Sequence, residues 1–74
     1  MPQVMKSDPA NRLSTRETEV IRLLGRGRTT SEIATQLRLS RKTVQAYVGH
    51  LKTKLEAANI NQLIRIAVLW RPQE

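Results

Sequence analysis

Between Thr29 and Leu55 the sequence TTSEIATQLRLSRKTVQAYVGHLKTKL leaves room for little except two short helices joined by a tight turn. Thr29-Thr-Ser-Glu32 has the form in which a Thr side chain accepts from an amide three residues on while the Glu reaches back to the cap amide, so a helix begins near Thr30. It buries Ile33, Ala34 and Leu37 and stops by Arg38. The turn Arg38-Leu39-Ser40 contains no glycine; Leu39 can plug the angle between the helices, and Ser40 is a residue type that opens a new one. That next helix, about Arg41–Glu56, sets Val44, Val48, Leu51 and Leu55 in one narrow arc. Lys42, Ala46, Gly49 and Thr53 fall opposite, flanked by Gln45 and His50, so the outward side is low in bulk and rich in hydrogen-bonding groups.

The rest of the chain extends the same logic. Ser14-Thr-Arg-Glu17 is another capping box, and it predicts a helix from about Thr15 to Arg26 with Val20, Ile21, Leu23 and Leu24 as its apolar stripe. Leu13 packs on the first turn, and Gly27 can leave the helix at positive φ. Near the end, Asn61 is expected to cap a last helix, Gln62 to Trp70, that Pro72 stops. Ile60, Leu63, Ile66, Ala67 and Trp70 should cover its buried side, which leaves Ile64 and Val68 facing elsewhere and Leu69 further round. An exposed apolar pair on so small a domain suggests a contact between subunits. Residues 1–12, with two prolines and no apolar period, read as a flexible leader or linker, so the expectation is an all-α, four-helix domain over residues 13–71.

Seventy-four residues allow one domain, with only about 60% of the unfolded surface available for burial. The chain has no cysteine and one histidine, His50, which excludes a disulfide framework and an ordinary zinc cluster and gives no reason to expect a metal or cofactor. It also lacks an apolar run of about 18 residues and a secretion-type leader, so a cytoplasmic protein with no membrane role is expected. Thirteen Lys and Arg against six Asp and Glu give a formal charge of +7, which favours a polyanionic partner. The excess is local: no acid occurs between Glu32 and Glu56, while Arg38, Arg41, Lys42, Lys52 and Lys54 all do.

A lean, cationic helix face above a small core suits the DNA major groove. Gln45 can pair with adenine N6 and N7, and Lys42 can reach guanine or a phosphate oxygen, although either residue also serves as a plain exposed helix former. Gly49 costs a helix interior about 1 kcal/mol relative to Ala, and close approach to DNA would account for it, as would simple tolerance. Arg41, Lys52 and Lys54 are candidate phosphate partners, while Thr30 and Ser40 stand at helix starts, where free amides attract anions. Tyr47 borders the apolar arc and can pack its ring while offering its hydroxyl to phosphate. His50 has no second ligand or carboxylate near it in sequence, which argues against metal binding and against a general base; an enzyme is not expected.

The segments Leu13-Ser-Thr-Arg-Glu-Thr-Glu-Val20, Gly27-Arg-Thr-Thr-Ser-Glu-Ile-Ala34, Leu37-Arg-Leu-Ser40, Thr43-Val44 and Lys54-Leu55 resemble, in order and spacing, the LuxR-type (GerE/FixJ/NarL) helix-turn-helix family. The resemblance runs from Leu13 to about Leu69. It implies a four-helix domain that binds double-stranded DNA, forms homodimers through its last helix and regulates transcription, either as a stand-alone small regulator or as the effector domain of a response regulator. RNA polymerase is a further partner it implies, with nucleoid association when bound, and no small molecule held by this domain. By position the family's base-reading sites fall on Gln45, Ala46 and Gly49, and its backbone-contacting sites on Thr30, Ser40, Thr43, Tyr47 and Lys54. The chain departs from the residues common in the family at Gln45, Tyr47 and Ile60, where Lys, His and Arg are usual. DNA binding is thus implied, a particular operator is not.

Other readings compete. The fourth region of a sigma factor has a similar helix-turn-helix through Leu55, but it gives the apolar helix after Asn61 no task. A protein-interaction bundle acting as an anti-regulator would set the basic face on an acidic partner, and it gives Gln45 and Gly49 no reason to share an outward side. A membrane-surface role would require bulky apolar residues on the exposed side of the third helix, which are missing.

Overall fold

The computed structural model describes residues 13–70, so the leader assigned to residues 1–12 and the stop at Pro72 lie outside the described residues. Four helices and no strand occupy the described part: α1 (Thr15–Gly25), α2 (Thr30–Leu37), α3 (Arg41–Lys54) and α4 (Ile60–Leu69). The all-α, four-helix expectation holds. Both capping boxes form in full. Ser14 Oγ accepts from the Glu17 amide at 3.1 Å while Glu17 Oε1 accepts from the Ser14 amide at 2.9 Å, and Thr29 and Glu32 repeat the exchange at the start of α2. The cap of α2 is therefore Thr29, and Thr30 is its first helical residue.

The ends of α1, α2 and α3 share one device. At the end of α1 the Arg28 amide donates to the Leu23 carbonyl and the Gly27 amide to the Leu24 carbonyl, with Gly27 at φ 87°. The same bond pair closes α2 through Leu39 to Ala34 and Arg38 to Thr35, and closes α3 through Ala57 to Lys52 and Glu56 to Thr53. There the left-handed residues are Arg38, at φ 59°, and Glu56, at φ 56°, each of which strains the backbone by about 1 kcal/mol where glycine would not. The left-handed Arg38 explains how the α2–α3 turn dispenses with glycine. The left-handed Glu56 likewise ends α3 at Lys54 rather than at Glu56 itself.

The start of α4 differs from the sequence expectation. Asn59, not Asn61, is the N-cap, its side chain accepting from the Gln62 amide at 2.9 Å, and the Gln62 side chain in turn accepts from the Ala58 amide. The helix begins two residues earlier as a result. Ile60 becomes its first residue, at the end of the buried seam, and is exposed instead of covered.

Val20, Ile21, Leu24, Ile33, Val44, Leu51 and Leu63 form the fully buried centre, and α1 packs against each of the other three helices. Its contact with α4 is tight: a Cβ on Gly25 would lie 2.6 Å from the Ala67 carbonyl oxygen, well inside van der Waals contact. That close approach, rather than backbone freedom, is what requires a glycine there. Gly25→Ala should push α1 and α4 apart and lower stability by about 2 kcal/mol, on the order of 10 °C in thermal midpoint, as read by circular dichroism melting.

One charged group lies inside the core boundary. Glu17 is 4% exposed, and the oxygen that closes the α1 cap also accepts from Lys54 Nζ at 2.8 Å. Burial by itself would raise the carboxyl's pKa; the Lys54 ammonium and the Ser14 amide together outweigh it and hold the group below its ordinary value. A carboxyl whose folded pKa is depressed adds stability above its unfolded pKa and gives that stability up as pH falls through the folded one. Acid titration should therefore destabilise the domain below the ordinary carboxylate range, and the stability gap between wild type and Glu17→Gln, measured by urea unfolding, should narrow as the pH drops.

Candidate nucleic-acid interface

The side of α3 opposite the core is open. Val44, Val48 and Leu51 are buried, with Leu55 and Tyr47 half-covered against them, whereas Lys42, Gln45, Ala46 and His50 are exposed. Gly49 is half-buried, and nothing lies within 4 Å of the place its Cβ would occupy. The protein's own packing thus gives no reason for glycine at that point.

The helix start carries polar groups in order. Ser40 Oγ accepts from the Thr43 amide at 3.0 Å and donates to Thr43 Oγ1 at 2.9 Å, so the two hydroxyls are held together at the exposed N-terminal turn. Arg41 and Lys42 stand exposed beside them. Further along, Thr53 Oγ1 donates to the Gly49 carbonyl at 3.2 Å, which draws that side chain along the helix and keeps the surface low. Lys52 is half-buried on the last turn. Thr30, at the start of α2, is likewise half-buried.

Lys54 is a particular case among the phosphate candidates. Its ammonium sits on Glu17, with 27% of the side chain exposed, so the residue has a structural duty besides any external one. The residue spacing of 37 between these partners gave no local sign of the pair. A sign did exist on α1, where Glu17 falls on the same side as Val20, Ile21 and Leu24, so a capping acid facing inward needs a cation from elsewhere. Gly25 and the left-handed Arg38 were also missed. Gly25 stands two residues before the more conspicuous Gly27.

On α4 the apolar excess is real, though its distribution is uneven. Val68 is 52% exposed and Leu69 75%, while Ile64 is half-buried at the edge of the core. The outer strip is thus centred on Val68 and Leu69, with Ile64 contributing one edge. Among the described residues no group of three or more His, Cys, Asp or Glu side chains is placed to hold a metal ion, and no helix is long and apolar enough to cross a membrane.

Comparison with known proteins agrees with this architecture. Residues 11–67 match the family of "Bacterial regulatory proteins, luxR family" (GerE). The chain is 40% identical over 58 residues to the uncharacterized response regulatory protein YgeK of Escherichia coli K12, a match covering 78% of the chain and 40% of that protein. It is also 40% identical over 62 residues to the oxygen regulatory protein NreC of Staphylococcus aureus RF122, covering 84% of the chain and 29% of the relative. A third relative, the uncharacterized transcriptional regulatory protein YvfU of Bacillus subtilis 168, is 40% identical over 57 residues, 77% of the chain and 28% of the relative. The chain therefore spans well under half the length of these curated relatives. No solved structure matches it significantly. The two capping boxes, the turn closed by Arg38 and the divided faces of α3 lie within the matched span, and the chain belongs to the luxR family of bacterial regulatory proteins, a family of DNA-binding transcription regulators and not of enzymes.

Proposed function

We propose that the domain binds double-stranded DNA sequence-specifically with α3 in the major groove, and that it does so as the DNA-binding element of a bacterial transcription regulator, acting alone or as the output of a longer response regulator. The observation that carries this reading is the outward side of α3, where Lys42, Gln45, Ala46 and Gly49 present no large apolar group and Gly49 has open space above it. Those four read base edges, Gln45 by bidentate pairing with adenine. Thr30, Ser40, Arg41, Thr43, Tyr47, Lys52 and Lys54 meet the sugar-phosphate backbone, Lys54 while keeping its hold on Glu17. The names of the relatives, response and oxygen regulators among them, support a regulatory setting; RNA polymerase as a downstream partner and a cytoplasmic, nucleoid-bound location are further parts of the same proposal. A sigma-type reading fits less well, because the family match runs to residue 67 and so includes most of α4.

Fluorescence anisotropy on duplexes selected from a random pool tests the assignment. Gln45→Ala should lose about tenfold in discrimination at one base pair while keeping the salt dependence, whereas Arg41→Ala should weaken all duplexes alike and flatten the slope of log K against log[salt] by about 0.9. The two variants behaving identically would contradict the division of roles, and salt-independent binding by the wild type would remove its electrostatic basis.

A homodimer through the Val68 strip, with Ile64 at its edge, is the second part of the reading, supported by the exposed apolar surface of α4. Sedimentation of the duplex complex should show two chains for the wild type and one for Val68→Glu. Equal masses would count against this contact.

A further inference from the structure

We propose that Arg38 clamps a phosphate at the rim of the major groove, an inference that rests on the docking of α3 described above. Arg38 closes α2 two residues before Ser40 caps α3. In a helix-turn-helix the first helix crosses the sugar-phosphate backbone and the N-terminal residues of the second enter the groove, so the residue joining them stands over the phosphodiester chain.

Three observations taken together single this residue out; Glu56 shares its left-handed backbone and closing bonds but carries the opposite charge. Its backbone lies at φ 59° and ψ 45°, a conformation that glycine adopts freely and a long side chain does not, and strain of that kind persists where a side chain is needed. The Leu39-to-Ala34 and Arg38-to-Thr35 bonds fix the backbone around it, so the base of the side chain is held before any ligand arrives. Finally, Arg38 is exposed, and no ion pair reaches it among the described residues: Glu17 holds Lys54, Glu19 holds Arg16 and Glu32 holds the Thr29 amide. With Arg41 and Lys42 it makes three cations within five residues, in a stretch free of acids from Glu32 to Glu56.

The ligand this corner fits is a phosphodiester oxygen pair, which a planar guanidinium engages through parallel N–H donors. The contact carries no base information. It adds one displaced counterion, a factor of about eight in affinity at 0.1 M salt, since the slope per phosphate is about −0.9.

The test uses the whole chain and two fluorescein-labelled duplexes, one selected from a random pool and one unrelated. Arg38→Gly should melt at or above the wild-type temperature, yet bind both duplexes about eightfold more weakly at 0.1 M salt, with the salt slope flatter by about 0.9; Arg38→Lys should keep the wild-type slope. Wild-type affinity and slope in Arg38→Gly would overturn the proposal while leaving the docking of α3 intact. A loss confined to the selected duplex would overturn it too, by making Arg38 a base reader, and a lowered melting temperature would remove the strain argument. If the wild type bound neither duplex, the docking reading itself would fall.

Discussion

Glu17 is the group on which the arrangement depends. Its carboxylate completes the α1 cap and, through the same oxygen, holds Lys54 on the last turn of α3. A carboxylate at 4% exposure is costly to desolvate, and it is tolerable because the Ser14 amide and the Lys54 ammonium both donate to its Oε1. The pair spans elements far apart in sequence, so it fixes where the C-terminal end of α3 sits relative to the start of α1. Apolar packing alone would let a helix of this length rotate or slide among similar seams, whereas a buried charge with a single satisfactory partner does not.

At its other end α3 is set by a different means. The Arg38 turn, the half-buried Leu39 and the Ser40 cap determine where the helix begins, and Val44, Val48 and Leu51 bury the seam between. A helix pinned at both ends and along one side can keep its remaining surface free of any packing duty. That freedom is why Ala46 and Gly49 can be small without leaving a void in the protein. Stability is carried by one arc of α3, and recognition is proposed for the opposite one.

The fold was legible in the sequence to the extent that it is locally encoded. The two capping boxes need only residues three apart, and the apolar arc of α3 needs only helical periodicity, so both emerged at their places. Helix α4 was harder because Asn59 and Asn61 are both able to cap; choosing Asn61 hid the role of Gln62, which accepts from the Ala58 amide and favours the earlier start. Ile60 was misplaced for that reason. Glu17–Lys54 and Gly25–Ala67 are contacts between distant segments, and composition within a segment says little about which neighbour will arrive. For the interface, exposure of Lys42, Gln45 and Ala46 followed from periodicity, while the left-handed backbone of Arg38 did not, since nothing about an arginine announces positive φ.

The distribution of acids ties stability to the partner. Among the described residues, Glu17 and Glu32 are engaged in caps on α1 and α2, and Glu19 pairs with Arg16, so these three acids serve the supporting helices, while Glu56 stands past the C-terminal end of α3. Apart from Lys54, the cations of the turn and of α3 make no ion pair with a carboxylate among the described residues. Their mutual repulsion weighs against the folded chain, in which they are held close, more than against the extended one. On the docking proposed above, a polyanion laid along α3 would relieve that repulsion, and by binding the folded form more tightly than the unfolded one it would stabilise the domain by mass action. On that reading the same placement of charge that weakens the free domain would strengthen the bound one, without any residue of the core having to change.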